Sequence, residues 1–211
     1  MKRTNKPKAG QRLENRIPRS EEEIRAYTIG ELKPLCGRIS IVDYDPHWPE
    51  LFVSEANRIR SVLGNRVVGI EHAGSTSVPG LAAKPIIDIL LVVSDSAEED
   101  SYAPALEAAG YVLRIREPAW YEHRMFKGPE TDINLHVFSS GCPEIDRMLI
   151  FRDWLRSNAA DRELYARSKQ ALAEKEWRYV QNYADAKAIV IEEILARAHA
   201  GKKSMNAPRP S

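Results

Sequence analysis

The sequence predicts an α+β fold: a mixed β-sheet with flanking helices, followed by a C-terminal helical subdomain. Three observations carry that expectation. Short extended runs dominate from about residue 38 to residue 138, and from Pro143 onward the apolar residues fall at helical spacing instead. Between them, Pro85 to Val93 holds Ile86, Ile87, Ile89, Leu90, Leu91, Val92 and Val93, a run typical of a central strand covered on both faces. One carboxylate, Asp88, interrupts it. A lone carboxylate in such a strand is costly unless it is paired, hydrogen-bonded or bound to a cation.

The elements follow in order. Residues 1–19 read as a basic tail, with Lys2, Arg3, Lys6, Lys8, Arg12 and Arg16 against Glu14. Ser20 with Glu23 three residues later fits a capping box that opens a short helix. Residues 38–44 read as a strand. Asp45-Pro46 reads as an N-cap and first helical position, and Trp48, Leu51, Phe52, Ala56, Ile59 and Leu63 keep helical spacing until Gly64. Strands are expected over 66–72, 85–93, 111–116, 122–127 and 132–138, with a helix over 97–109 that ends before Gly110. The last strand alternates Ile133, Leu135 and Val137 with Asp132, Asn134 and His136, so one face is buried and the other polar. Helices are expected over 143–157, 161–179 and 183–199, and residues 200–211 read as a second tail. The domain division is therefore 20–141 for the core and 142–199 for the helical subdomain.

The composition, 43% hydrophobic and 29% charged with a formal charge of +1 over 211 residues, is that of a globular chain. It excludes the fibrous classes. No apolar stretch approaches the length that spans a bilayer, so no membrane anchor is expected. Cys36 and Cys142 lie far apart without metal-ligand or disulfide spacing, which points to a reducing cytosol and a cytoplasmic location. Outside the tail the charges are balanced, so a nucleic-acid partner is not expected.

The chemistry gathers around Asp88. If strands 85–93 and 132–138 are neighbours, Asn134 and His136 project to its side of the sheet. Upstream, Gly74, Ser75, Thr76 and Ser77 form a small, hydroxyl-rich loop whose backbone N–H groups suit phosphate oxygens. Lys84 and Arg124 are candidates to offset phosphate charge. Asp88 with His136 is the candidate metal site, for Mg2+, and Asp88, Asn134 and His136 are the candidate catalytic groups. A phosphate loop beside a cation-holding carboxylate is a minimal kit for a nucleoside triphosphate. Each part has a plainer reading: GSTS is an ordinary turn composition, His136 a structural hydrogen bonder, and Asp88 half of an ion pair with Arg66, Arg114, Arg116, Arg124 or Arg152. In the helical half, Arg152, Arg156, Lys169, Tyr183 and Lys187 are candidates to line a cleft, with Arg152 a phosphate contact.

The segment HAGSTSVPGLAAKPIIDILLVV, with IVDYDPHWPELF before it and INLHVF, FRDWLR and YVQNYADAKAIVIEEI after it, resembles the GrpB family of nucleotidyltransferase-like proteins. The resemblance covers about residues 39–198, and the same domain is fused to some bacterial dephospho-CoA kinases. It implies a nucleotidyltransferase fold in which a Gly-Ser pair binds nucleotide phosphates and strand carboxylates bind magnesium. Gly74 and Ser75 match that pair, and Asp88 matches the first carboxylate of the Asp-x-Asp motif. Leu90 occupies the second position. A third carboxylate is expected near Asp132, although Asn134 and His136 are better placed to face Asp88. Two expectations follow from different classes: a nucleotidyltransferase acting on an unknown acceptor, or a catalytically silent nucleotide- or partner-binding module on the same fold.

Overall fold

The computed structural model describes residues 19–205, with side chains as far as Gly201. Residues 1–18 of the tail expected over 1–19, and residues 206–211 of the second tail, lie outside the described residues. Five strands form one mixed sheet: β1 (Gly69–Ala73), β2 (Ile87–Val93), β3 (Val112–Glu117), β4 (His123–Lys127) and β5 (Ile133–Ser139). Their order across the sheet is β1-β2-β5-β4-β3. Only β2 and β5 run parallel, and the remaining pairs are antiparallel. Among the described residues seven α-helices accompany them: α1 (Glu21–Tyr27), α2 (Trp48–Leu63), α3 (Ala103–Ala108), α4 (Pro143–Ser157), α5 (Ala159–Ala173), α6 (Val180–Ala186) and α7 (Ala188–Met205).

The two faces of the sheet divide the labour. Ile87, Ile89, Leu91 and Val93 alternate onto one face with Ile133, Leu135, Val137 and Phe126, and pack against Ala56, Ile59 and Leu63 of α2 and Leu106 of α3. This is the main core. On the opposite face the register sets Ala73 beside Asp88, Asp88 beside Asn134, and Leu90 beside His136. There Ala73, Leu90 and Phe138 are covered by Ile145, Met148 and Leu149 of α4. Leu155, Tyr165, Val190 and Ile194 of the helices close around Val78 and Leu81. The strip of β2 and β5 holding Asp88, Asn134 and His136 is left to face a cavity.

Several expectations change in detail. Residues 38–44 form no strand: Val42 makes one antiparallel bridge with Ala83, and Ile39 and Ile41 pack with Ala173, Leu172 and Tyr183 instead of joining a sheet edge. The long helix begins at Trp48, with Pro49 in its first turn, because the Asp45 carboxylate accepts from the His47 N–H at 2.9 Å and holds Asp45-Pro46 in a preceding turn. The helix expected over 97–109 breaks at Tyr102, whose hydroxyl is drawn inward to the Ser96 carbonyl at 2.7 Å. The helix expected to reach residue 179 stops at Ala173, and the last helical period divides at Lys187 into α6 and α7. The second tail is helical as far as Met205. Arg19, placed in the first tail, is held: its N–H donates to Asp185 at 3.0 Å, and its guanidinium donates to Tyr27 and faces Glu117. The capping box of Ser20 and Glu23 forms as expected.

Candidate functional site

Asp88 sits where β2, β5 and the loop after β1 meet. Asn134 Nδ2 donates to Asp88 Oδ1 at 2.8 Å, and His136 Nε2 lies 3.7 Å from the same oxygen. Among the described residues neither an arginine nor a second carboxylate pairs with it. Burial alone would raise the Asp88 pKa, but the contacts with His136 and Asn134 and the charge of Lys187 outweigh burial and hold it below the usual carboxylate range. Gly74 adopts φ +65°, and a Cβ there would lie 2.1 Å from Asp88 Oδ2. Only glycine lets the loop come this close.

The cavity beside Asp88 has a volume of about 690 Å3. Part of the lining is apolar: Ile24, Leu32, Ile86, Ile115, Met125 and Val180. The rest is largely charged: Glu31, Lys33, Arg114 and Lys127 line it, and Lys84, Lys169 and Lys187 enter from the loop, α5 and the α6–α7 junction. Burial lowers all three ammonium pKa values, Lys84 to about 8 and Lys169 to about 7, while the Asp88 charge acts in the opposite direction on each. Aromatic faces cushion them: Lys84 and Lys187 lie 5.8 and 4.8 Å from the Tyr183 ring centroid, and Lys169 lies 4.8 Å from that of Tyr165. The Lys169 ammonium also donates to the Ala82 carbonyl. The buried Tyr183 hydroxyl has no hydrogen-bond partner among the described residues, an orphan of the kind that a ligand satisfies. A smaller cavity of about 170 Å3 shares Ser75, Asp88 and Lys187 with the first and adds Gly74, Arg147 and Arg152.

The profile of the family described as GrpB protein matches residues 38–197. The chain belongs to the GrpB family. Among its relatives, "UPF0157 protein BH1888" of Halalkalibacterium halodurans is 64% identical across 88% of this chain and 95% of that one. A protein named "Dephospho-CoA kinase" of Mycolicibacterium paratuberculosis is 26% identical across 76% of this chain and 46% of that one. The crystal structure of "conserved protein GrpB" from Enterococcus faecalis aligns with a TM-score of 0.67 and 34% identity, covering 75% of this chain and 96% of that one.

In this GrpB chain the expected site residues scatter in an informative way. Asp88, Asn134, His136, Ser75 and Lys84 meet at the cavity. Ser75 contacts the Tyr165 hydroxyl, which sequence reasoning did not single out. Thr76 and Ser77 are buried, and their hydroxyls build the turn: Thr76 donates to the Ile86 carbonyl at 3.3 Å and meets His72 Nε2, while Ser77 donates to the Gly74 carbonyl at 2.6 Å. Arg152 lines the smaller cavity while donating to Glu71 and to the His72 carbonyl. Arg156 donates to the Ser77 carbonyl and so braces the loop from behind.

Arg124 is a correction. It pairs with Val137 in register, on the core face, and its buried guanidinium is spent on Glu99 and Glu122. Side chains alternate along a strand, so its neighbour His123 takes the site face in its place. His123 and its partner Glu117 were missed, although the alternation of His123, Met125 and Lys127 was a signal for the first. Asp132 is also away from Asp88: its side chain is 57% exposed and paired with Lys127. Leu90, at the second carboxylate position, is fully buried under α4. Among the described residues no three His, Cys, Asp or Glu side chains cluster as a metal site.

Proposed function

We propose that the cavity binds a nucleoside triphosphate, its phosphates lying against Lys84, Lys169, Lys187 and the Gly74-Ser75 turn, on a nucleotidyltransferase-like fold. The observation that carries this reading is the convergence of three desolvated lysines beside a single carboxylate. The cavity lining holds six basic side chains against two carboxylates, Glu31 and Asp88, so an anionic ligand is favoured there and draws protons onto the desolvated lysines. The apolar part of the lining offers Ile24, Leu32, Ile115 and Met125 to a base or sugar, and the orphan Tyr183 hydroxyl offers a hydrogen bond.

The donor set fits one divalent ion and not two. Mg2+ is commonly held by one or two carboxylates together with substrate phosphate oxygens, and Asp88, with His136 beside it, supplies one such anchor. Position 90 supplies none. Bound there, Mg2+ would neutralise phosphate charge. The chain's own groups do the rest: Asn134 orients Asp88, Gly74 lets the phosphate loop approach it, and the lysines hold the anion in a site shielded from bulk water. Transfer of a nucleotidyl group to an unknown acceptor is the enzymatic form of this reading. The buried Leu90 favours the second form, a catalytically silent nucleotide- or partner-binding module, because a two-metal site relies on acids at both positions.

No helix among the described residues is long and apolar enough to cross a membrane, and both cysteines are free. The free cysteines support a cytoplasmic location. The deciding experiment is thermal melting with each of the four nucleoside triphosphates, with and without Mg2+. A metal-dependent rise in Tm is expected, since a ligand at a hundred times its Kd stabilises by about 2.7 kcal/mol. No shift with any nucleotide in either condition would leave the partner-binding module.

A further inference from the structure

Residues 19–35 precede the region matched to the family, which begins at residue 38, yet they form one wall of the large cavity. Ile24 and Tyr27 of α1 line it, followed by Thr28, Glu31, Leu32 and Lys33. The segment crosses from the outer edge of the sheet to the helical subdomain. At the sheet edge Thr28 bridges Ile115 of β3, the Ile29 N–H donates to the Arg114 carbonyl at 2.8 Å, and the Arg114 guanidinium donates to the Glu31 carbonyl at 2.9 Å. At the other end the Arg19 N–H donates to Asp185 of α6 at 3.0 Å, and Asn182 Nδ2 donates to the Arg19 carbonyl at 2.9 Å. Glu21 adds an ion pair with Arg178 at 2.7 Å. The Arg19 guanidinium lies 3.0 Å from the Tyr27 hydroxyl, to which it donates, and 3.3 Å from Glu117.

The two attachments differ in kind. Ile29 packs against the main core and Leu35 against Ile39, Ala173 and Tyr183, so the chain beyond Thr28 is fixed by apolar contact as well as by backbone hydrogen bonds. Ahead of Thr28 the described residues bury one apolar side chain, Ile24, and reach α6 through polar contacts. A seven-residue helix has little stability away from such contacts. Segments with few buried apolar groups open locally before the molecule unfolds. Thr28, the residue after α1, is already extended, so rotation at the Tyr27–Thr28 joint lifts the helix without disturbing the sheet.

We propose that residues 19–27 are a flap over the cavity, latched on α6 through Arg19 and jointed at Tyr27–Thr28, and that ligands enter and leave as it opens. This gate controls access to the site of the proposed function and rests on the reading of the cavity as a ligand site, but neither nucleotide nor metal enters its first two tests. Lys169 supplies a built-in reporter, because it lines the same cavity, is 2% exposed, and has a lowered pKa that makes it a reactive amine once reached.

Native-state hydrogen exchange of the ligand-free full chain measures the flap. The Ile24 and Thr28 amides, bonded to the Ser20 and Arg25 carbonyls, should exchange roughly a hundredfold or more faster than the β2 amides and without response to mild urea. Rates that match β2 and rise in step with urea overturn the proposal. Access is read by acetylating Lys169 with N-hydroxysuccinimidyl acetate and following the modified peptide by mass spectrometry. Arg19→Gln removes the ion pairs with Glu117 and Asp185 but keeps the backbone hydrogen bonds. It should speed Lys169 acetylation about fivefold while the exposed Lys175 is unchanged. Faster Ile24 exchange with unchanged Lys169 acetylation overturns the gate. If Arg19→Gln also speeds exchange in β2, Arg178→Gln, which cuts the ion pair with Glu21, takes its place and faces the same two outcomes. Any nucleoside triphosphate that raises the melting temperature should also slow Ile24 exchange, and a rise without slowing overturns closure over the ligand. Faster Lys169 acetylation in the variant, with no melting shift from any triphosphate, sinks the nucleotide reading and leaves the gate standing.

Discussion

Asp88 shows how a costly residue becomes tolerable without an opposite charge against it. Its oxygen accepts from Asn134, and the His136 ring and the field of the cavity lysines supply the rest. Asp88→Asn keeps an oxygen for Asn134 but gives up a charge that the folded site favours, so a loss of about 1 kcal/mol is expected from denaturant melts, while the metal-dependent nucleotide shift disappears. A loss of 3 to 5 kcal/mol, the usual consequence of stranding half of an ion pair, would count against the site. Gly74→Ala makes the complementary case. Its Cβ meets Asp88 Oδ2 at 2.1 Å in a backbone region that L-residues avoid, so destabilisation of about 2 kcal/mol or more is expected from denaturant melts. Adding Asp88→Ala should recover part of that loss, because Oδ2 and Cγ are the nearest obstacles. Strict additivity would show that the two positions do not touch.

At the scale of elements, α4 decides what the second motif position can be. It lays Ile145, Met148 and Leu149 over Ala73, Leu90 and Phe138, so a carboxylate at 90 would enter an apolar layer without a partner. Leu90→Asp should therefore destabilise by roughly 3 kcal/mol or more, read from the urea midpoint, and should confer no second metal. A stable Leu90→Asp variant with raised Mn2+ stoichiometry would contradict this account. The α6–α7 junction makes the opposite contribution: it breaks the last helical period at Lys187 and aims that ammonium into the cavity. Lys187→Met should raise the melting temperature of the ligand-free protein, since burial already works against the charged form, and should weaken triphosphate binding about tenfold or more.

Across the whole molecule, His72 and His123 tie stability to pH. Both are buried, and burial lowers each pKa to about 4 from an ordinary value of 6.5. The folded chain thus binds fewer protons than the unfolded chain between those values. Their contribution is complete above pH 6.5 and is lost as pH falls toward 4, by about 2 kcal/mol per histidine at pH 5. Asp88 and Glu117, whose pKa values are also lowered, add losses of the same sign further down the carboxylate range. Urea midpoints at neutral pH and near pH 5 measure the sum, and equal midpoints would mean that the two rings are not held neutral.

The sequence by itself determined the α+β class, five of the six strands it suggested, the two-faced alternation of residues 132–138 and the isolation of Asp88, because each is written in local periodicity or in a break from it. It also placed Gly74 beside Asp88, through a run of motifs that only a family preserves in order. The tertiary structure alone decided which strands neighbour one another, and hence which parity faces the cavity. Arg124 fell to the core and His123 to the site by a single-residue alternation that no sequence pattern resolves without the register. Thr76 and Ser77 carry suitable hydroxyls, yet the turn uses them up. Lys84, Lys169 and Lys187 lie up to about a hundred residues apart in the chain, and only the folding of α5, α6 and α7 across the sheet brings their charges to one carboxylate. Local propensity acts over a few residues, whereas a charge cluster depends on long-range packing.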